Sequence, residues 1–404
     1  MTKRILYINE SLNTGSTGHI VEKLGLAAQQ AGYECVVAHG ARYVHASQLP
    51  HFAFSSRLEE YMHGVYSLCC NAHGLGSRMA TRRLIAFIKR YQPSLIHLHN
   101  IHGYYLNYPM LFDFLRHQSV PVVWTLHDCW AMTGRCAYFT VHQCDQWKEG
   151  CQHCPSYADY PRSIVPWGTE RNYTSKRQYF AQAEHMTVVP VSRWLESVVR
   201  QSYLSGHRVH TVCNGIDTRL FRPLASTLRE QWRAQDKTVL LGVASQWTQT
   251  KGWSDWLQLA QRLGDRYQIV LVGVTEAQRM QLPPRCIGLK RTENLEQLVQ
   301  LYSAADIYIS LAHQEAFGLT LIEAMACGTP CIAYRTTAIP ELIPPEHGIC
   351  VADGDIEGVV KAVATFGTTA KQMHGTACRE YVQSRFDEQE NIQQYLTLYS
   401  QSIV

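Results

Sequence analysis

Short runs of apolar and β-branched residues alternate along the chain with longer segments in which apolar positions recur at helical spacing. The strand-like runs are residues 4–9, 34–39, 121–128, 187–192, 208–217, 237–244 and 268–273. Helical patterns dominate residues 58–90 and the last segment, residues 384–403. Because strands that alternate with helices usually form parallel sheets, the pattern predicts an α/β fold.

Residues 306–334 contain one complete unit of this alternation. A buried strand is predicted at residues 307–309, and the pattern then breaks at residues 315–318. A helix follows and ends at Gly328, after which residues 331–334 predict the next strand. In parallel sheets, ligands bind in the loops beyond the carboxyl ends of the strands, so residues 315–318 are a candidate site.

Two carboxylates mark this loop and helix. Glu315 follows the strand, Glu323 lies in the helix, and Gly318 at the start of the helix lets a ligand approach the backbone. Free N–H groups at a helix start bind phosphate, whereas carboxylates accept hydrogen bonds from sugar hydroxyls. The residues therefore suggest a sugar joined to a phosphate, although the same spacing also fits a solvated loop and a charge on the helix surface.

The stretch E-A-F-G-L-T-L-I-E-A-M-A-C-G-T-P resembles the signature of retaining GT-B glycosyltransferases of family four, which use nucleotide-sugar donors. The resemblance implies two Rossmann-like domains that face each other across a cleft, with a C-terminal helix that crosses back to the N-terminal domain. It further implies that Glu315 contacts the donor sugar and Glu323 the ribose. Phe317, Gly318 and Leu319 would then lie at the diphosphate.

A chain of 404 residues is too long for one ordinary hydrophobic core. From the resemblance we expect an acceptor-side Rossmann-like domain over residues 1–216, with a cysteine-rich insertion at residues 129–160. A linker at residues 217–236 would lead to a nucleotide-sugar-binding domain over residues 237–383. The helix at residues 384–404 would pack back on the first domain.

The catalytic assignments also include one cation and one histidine. Lys251 follows the first strand of the second domain, where a fixed ammonium stabilises a departing diphosphate. The family normally has an arginine five residues earlier, but Gln246 stands there and brings no charge. His127 ends a predicted strand. The resemblance implies that it contacts the donor sugar, and a purely structural histidine is the alternative. Because no Asp-x-Asp follows a predicted strand, we expect no catalytic metal.

Two further loops are assigned by the resemblance alone. The glycine-rich turn at residues 13–18 would bring Gly15 and Gly18 to the donor phosphate, although a plain turn is the alternative. The loop that contains His99, Asn100 and Tyr104 would lie near the acceptor.

Four of the 14 cysteines form a C-x7-C-x6-C-x2-C cluster: Cys136, Cys144, Cys151 and Cys154. Four thiolates in one short loop suit a structural zinc ion, while an iron–sulfur cluster and plain reduced thiols stay open. The insertion resembles that of a family subset acting in bacterial exopolysaccharide assembly of the colanic-acid type. Most other cysteines, including Cys69 and Cys70, are predicted to lie in the core as small hydrophobes.

Charge and hydropathy restrict the partners and the location. The net charge of +4 is too small for a typical nucleic-acid binder, so we expect no nucleic-acid partner. No apolar run is long enough to span a bilayer, and the first nine residues are too polar for a signal peptide. We expect a cytoplasmic protein. The basic amphipathic helix at residues 81–90 is either a solvated surface or a contact with anionic lipid at the inner face of the plasma membrane.

The resulting hypothesis is a retaining glycosyltransferase of bacterial surface-polysaccharide synthesis. Its donor would be a UDP- or GDP-sugar and its acceptor a carbohydrate or a lipid-linked saccharide. Gln246 motivates one alternative, a catalytically weak nucleotide-sugar-binding or scaffold subunit. An epimerase or a phosphorylase of the same fold is the other.

Overall fold

The computed structural model describes residues 3–403, which divide into two compact units. The first unit extends to Val212 and also includes the chain from Ile392 onward, and the second comprises Cys213–Asn391. Each unit contains one parallel sheet with helices between successive strands. The α/β fold predicted from the alternating pattern is confirmed.

The sheet of the first unit has seven strands in the order β3-β2-β1-β4-β5-β6-β7. The strands are β1 (Arg4–Asn9), β2 (Glu34–His39), β3 (His51–Ala53), β4 (Leu95–Leu98), β5 (Val122–Leu126), β6 (Met186–Pro190) and β7 (Arg208–Val209). All their pairings are parallel. The central strands β4, β5 and β6 are buried throughout, as expected for a sheet covered on both faces.

Six helices of the first unit connect these strands, and the last helix of the chain joins them. They are α1 (Gly15–Gln30), α2 (Arg57–Cys70), α3 (Arg78–Tyr91), α4 (Tyr108–Leu115), α5 (Thr169–Phe180) and α6 (Arg193–Arg200), with the final helix at Glu388–Ser402. Tyr395, Leu398 and Tyr399 of the final helix are buried in the same core as Ile5 and Val37. The end of the chain therefore completes the first unit.

The second unit has a six-stranded parallel sheet in the order β10-β9-β8-β11-β12-β13. Its strands are β8 (Thr238–Val243), β9 (Tyr267–Val272), β10 (Ile287–Leu289), β11 (Ile307–Ser310), β12 (Cys331–Tyr334) and β13 (Gly348–Val351). Its helices are α7 (Leu228–Gln231), α8 (Trp253–Arg262), α9 (Glu276–Arg279), α10 (Leu295–Ala304), α11 (Leu319–Ala326), α12 (Ile339–Leu342), α13 (Ile356–Phe366) and α14 (Ala370–Arg385). The helix at Glu388–Ser402 is α15.

Several local predictions need correction. Helix α1 begins at Gly15, four residues before the predicted start, so most of the glycine-rich turn is the first helical turn. Residues 58–90 form two helices, because Asn71 adopts a left-handed conformation that ends α2. The last helix starts at Glu388, after a break at residues 386–387. Cys69 and Cys70 are exposed at the end of α2 and are not core residues.

Candidate functional site

The loop after β11 pairs two of the predicted catalytic residues. The Lys251 ammonium donates a short hydrogen bond to the Glu315 carboxylate. The Glu315 backbone is fixed in turn, because its N–H donates to the Thr337 hydroxyl at 2.8 Å and its carbonyl accepts from that hydroxyl at 2.7 Å. A cation and a carboxylate are thus held together at the carboxyl end of the sheet, on loops that follow β8 and β11.

Two glycines make this close approach of loops possible. Gly252 has a φ of 78°, and a Cβ there would lie 2.1 Å from the Leu311 carbonyl oxygen. Gly318 has a φ of 115° and stands at the N-cap of α11, where no side chain caps the helix. The first N–H groups of α11 are therefore available to an anion beside Glu315.

Glu323 lies one turn further along α11. Its carboxylate accepts a hydrogen bond of 2.8 Å from the Tyr302 hydroxyl. Tyr302 is fully buried, and burial raises its pKa well above the usual value, so it acts as a fixed neutral donor. This contact orients a half-buried carboxylate close to the helix N-terminus, as hydrogen bonding to a ribose would require.

The other predicted donor residues differ in accessibility. Gln246 is exposed, and its side chain makes no hydrogen bond to any of residues 3–403. The Phe317 ring is 4% exposed and packs edge-on against Phe386 at 5.8 Å, whereas Leu319 is half-buried. Phe317 therefore stabilises the loop after β11 by packing against Phe386, and its backbone leads into the N-terminus of α11.

His313 is a residue of this site that the sequence did not single out. Its ring bridges two carboxylates, with Nδ1 2.6 Å from Asp353 and Nε2 3.3 Å from Asp255. The hydrogen bond with Asp255 raises the pKa of His313 to about 9, against the opposing effect of burial and together with Asp353. The imidazolium thus joins the loops after β11 and β13 to helix α8, and only the folded chain brings these residues together.

In the first unit, the carboxyl ends of β4 and β5 bring two predicted histidines into contact. His99 Nδ1 lies 3.1 Å from His127 Nε2, and the two rings are stacked. Burial lowers the pKa of His127 to about 4 and that of His99 well below its usual value. Both imidazoles are therefore neutral at pH 7, and His127 can exchange hydrogen bonds with a sugar hydroxyl without carrying charge.

A second group of ionisable residues lies beside this pair. His102 Nε2 is 2.8 Å from the Asp128 carboxylate, whose other oxygen accepts the Trp130 N–H at 2.8 Å. Burial opposes a charge on His102, but Asp128 outweighs it and raises the pKa of His102. Glu10, at the end of β1, has its pKa raised to about 7 by burial.

Glu10 also fits closely against the loop after β4. Gly103 has a φ of 118°, which favours glycine, and a Cβ there would lie 2.2 Å from the Glu10 carboxyl carbon, so any other residue would displace the Glu10 side chain. The sequence analysis did not select Glu10, although its position directly after a buried strand was a usable signal.

The remaining acceptor-side assignments divide into two groups. His99 and Asn100 line the same small pocket as His102, His127 and Asp128. Tyr104 lies outside that pocket lining, has a φ of 73°, and packs its ring edge-on against His73.

The two glycines of the first helix have different environments. A Cβ at Gly18 would lie 2.9 Å from the Ser11 hydroxyl, so packing against the β1–α1 turn requires this glycine. Gly15 has a φ of 67° in open surroundings.

The four clustered cysteines line one pocket in the loop between β5 and α5. Cys136 and Cys151 are buried, and burial raises their pKa values to about 11 and about 12. Within residues 3–403, no group of three or more histidine, cysteine, aspartate or glutamate side chains has the arrangement of a metal's ligands. The four thiols therefore line one pocket, but they do not surround a common metal position.

Several solved structures share this fold over nearly the whole chain. Sucrose-phosphate synthase from Thermosynechococcus elongatus has a TM-score of 0.68 at 18% identity, covering 99% of this chain and 98% of that one. Anabaena Alr3699/HepE, solved in complex with UDP and glucose, also has a TM-score of 0.68, at 16% identity, covering 99% and 100%. The two Rossmann-like units thus form a GT-B fold.

The family follows from the sequence matches. Residues 18–220 match the model "Glycosyltransferase Family 4", and residues 225–377 match the model "Glycosyl transferases group 1". The chain belongs to glycosyltransferase family 4, and the resemblance noted in the sequence is confirmed.

Two curated relatives share this ancestry at moderate identity. The putative colanic acid biosynthesis glycosyl transferase WcaC of Escherichia coli (strain K12) is 26% identical over 325 residues, covering 76% of each chain. The N-acetyl-alpha-D-glucosaminyl L-malate synthase of Bacillus anthracis is 27% identical over 231 residues, covering 52% of this chain and 58% of that protein.

The His313 bridge predicts a pH-dependent stability. Because the folded chain binds the protonated imidazole, its contribution is fully present below pH 6.5 and is lost as the pH rises through about 9. We expect His313→Gln to be less stable than the unaltered protein at pH 6.5, by roughly 1.5–3 kcal/mol. The difference should shrink above pH 9 in urea unfolding curves. His45→Gln, at an exposed histidine on the β2–β3 connection, is the matched control, and a difference independent of pH would contradict the bridge.

Proposed function

We propose that the protein transfers a sugar from a nucleoside diphosphate donor to a carbohydrate acceptor, with retention of the anomeric configuration. The observation that carries the proposal is the grouping of Lys251, Glu315 and Glu323 around the uncapped start of α11. This arrangement offers a cation and backbone N–H groups to a diphosphate, and carboxylates to sugar and ribose hydroxyls.

Each residue would then have one role in the reaction. The α11 N–H groups and Lys251 would hold the diphosphate and stabilise the charge that develops as it leaves. Glu315 would exchange its contact with Lys251 for the donor sugar's hydroxyls, and Glu323 would hold the ribose. The bond from C1 to the phosphate oxygen breaks, the bond from C1 to the acceptor oxygen forms on the same face, and the acceptor's proton passes to the departing phosphate.

The acceptor side is proposed to lie in the first unit. Neutral His99 and His127, together with Asn100, line a pocket whose hydrogen-bonding groups suit sugar hydroxyls. His102 and Asp128 complete that lining as a hydrogen-bonded pair. The similarity to WcaC supports a place in bacterial surface-polysaccharide assembly, with a saccharide, free or lipid-linked, as the acceptor.

Donor binding can be tested by thermal unfolding with a panel of UDP-, GDP- and ADP-sugars. A ligand that binds only the folded state stabilises it by about 2.7 kcal/mol at a concentration 100 times its Kd. We expect one nucleotide class to raise the Tm, and Glu323→Ala to remove most of that shift. Glu346→Ala, an exposed carboxylate on the β12–β13 connection, should keep it. A folded protein whose Tm responds to none of the nucleotide sugars would count against the proposed donor site.

Gln246 favours a second candidate, a catalytically weak donor-binding subunit. The side chain is exposed at the loop that carries Lys251, and it supplies a dipole where a charge would stabilise the leaving diphosphate. Under this alternative the protein binds the donor but transfers its sugar slowly.

The two candidates differ in the effect of Gln246→Arg on initial rates of transfer. If missing charge limits the reaction, the substitution should raise kcat roughly tenfold or more, equivalent to at least about 1.4 kcal/mol of transition-state stabilisation. Gln372→Arg on α14 adds the same charge elsewhere and should leave kcat unchanged. Rapid transfer by the unaltered protein, with no gain in Gln246→Arg, would reject the weak-subunit alternative.

We further propose that the first unit contacts the inner face of the plasma membrane. No helix within residues 3–403 is long and apolar enough to cross a bilayer. However, α2 exposes large apolar side chains at helical spacing: Leu58, Tyr61, Met62, Val65 and Tyr66. Next to it, α3 exposes Arg82, Lys89 and Arg90. Apolar residues beside basic ones are complementary to an anionic lipid surface.

Membrane contact can be measured by co-sedimentation with vesicles. We expect binding to vesicles that contain anionic phosphatidylglycerol and much weaker binding to neutral phosphatidylcholine vesicles, because the basic residues of α3 require a negative surface. Met62→Glu should reduce binding several-fold, whereas Met373→Glu, an equally exposed methionine on α14, should not. Equal binding of both variants, or none by the unaltered protein, would contradict the contact.

A further inference from the structure

The loop between β5 and α5 contains a cluster that the transfer reaction does not use. Its pocket is lined by the four cysteines at positions 136, 144, 151 and 154, together with Arg135. Around it, Phe139 and Trp147 stack at 4.8 Å, and Trp147 is buried. The cysteines thus share one enclosed, mostly apolar space.

Arg135 is an unusual residue in the lining of a mostly apolar pocket. The residue is 1% exposed, and its Nε and Nη1 atoms have no hydrogen-bond partner. Among the ion pairs of the described chain, none involves Arg135. Burying a guanidinium in this way is costly unless negative charge lies nearby, so the site calls for an anionic partner.

A buried lysine also lies near Cys136 and Cys151, and burial lowers its pKa well below the usual value. Lys176 of α5 is 1% exposed and donates to the carbonyls of Trp130 at 2.7 Å and Thr133 at 3.1 Å. Its ammonium also lies 3.5 Å from the centroid of the Trp130 ring. These contacts satisfy its hydrogen bonds, but they supply dipoles and no full negative charge.

We propose that Cys136, Cys144, Cys151 and Cys154 bind one zinc ion as a tetrathiolate, and that Arg135 neutralises part of the charge of that centre. Four thiols lose their protons to solvent on binding the dication, so the centre carries two net negative charges. The buried Arg135 guanidinium offsets one of them. The donor set fits zinc, which prefers sulfur ligands in closed structural sites.

Local backbone geometry supports a thiolate at this place. The Gly134 N–H donates to the Cys151 sulfur at 3.2 Å, a contact that stabilises a metal-bound thiolate. A Cβ at Gly134 would lie 2.9 Å from the Cys151 Cβ, so the glycine allows the backbone to reach the sulfur. The thiols line the pocket but do not surround a common metal position. Zinc binding therefore requires the cysteine side chains to rotate toward one centre in the pocket.

The zinc would hold the insertion against the first unit. The loop contains few regular elements, and its two ligand pairs lie on opposite sides of a short 3-10 turn at Gln146–Lys148. Joining both pairs through one ion would fix that turn, and because Thr169 of α5 lines the same pocket, the ion would also hold the loop against α5. The role is structural, separate from donor binding in the second unit.

Metal analysis of the full chain tests the proposal. Protein purified without chelator should contain one zinc per chain by elemental analysis, with little iron and no acid-labile sulfide. Cys154→Ser, at one of the two half-buried ligands, should lose most of the zinc, whereas Cys69→Ser, exposed on α2 and outside the pocket, should retain it. Arg135→Met should weaken zinc binding about 10- to 100-fold in chelator competition.

A spectroscopic measurement on the unaltered protein does not depend on whether the variants fold. Replacing zinc by cobalt in the unaltered protein should give the visible bands and thiolate charge-transfer absorption of a tetrahedral tetrathiolate site. A folded protein that retains no metal and exposes all four thiols to a thiol reagent would overturn the proposal. Iron and sulfide in place of zinc, or full zinc retention in Cys154→Ser, would overturn it equally.

Discussion

Parallel strand pairing is the constraint on which both candidate sites depend. Every strand pairing in the two sheets is parallel, so within each sheet all strands end at the same edge. Residues that are distant in sequence but follow strands therefore become neighbours. His99 meets His127 in this way after β4 and β5, and Lys251 meets Glu315 after β8 and β11. The residues of both candidate sites are therefore brought together by the positions at which the strands end.

The sequence could predict what depends on local pattern. The bounds of β1 and β2 agree with the predicted runs because most of their buried positions are apolar, with the buried polar residues Asn9 and His39 only at the carboxyl ends. Short edge strands were missed: β3 and β10 have three residues each, too few to establish a period. The bridge from His313 to Asp255 and the fit of Glu10 against Gly103 were missed for another reason. They join segments far apart in sequence, and only the tertiary fold creates them.

Burial then decides what each ionisable residue can do. Two histidines in one small region have opposite pKa shifts. Burial lowers the pKa of His127 to about 4, whereas Asp128, 2.8 Å from His102 Nε2, outweighs burial and raises the pKa of His102. Residue type alone does not distinguish them, because the difference depends on where Asp128 lies in the folded chain. The pocket in the first unit therefore contains a neutral imidazole beside a hydrogen-bonded imidazole–carboxylate pair.

The same reasoning separates the two cationic regions of the protein. In the loop after β8, Lys251 has a partly exposed carboxylate partner in Glu315. In the cysteine-rich insertion, Arg135 is more deeply buried, and two of its donor nitrogens have no acceptor. A cation with an exchangeable partner is suited to transient ligands, whereas a buried cation without one costs stability at all times. Such a cost is sustainable only if permanent negative charge stands beside it, and the thiols are the groups on that pocket's surface that a metal can convert into such charge.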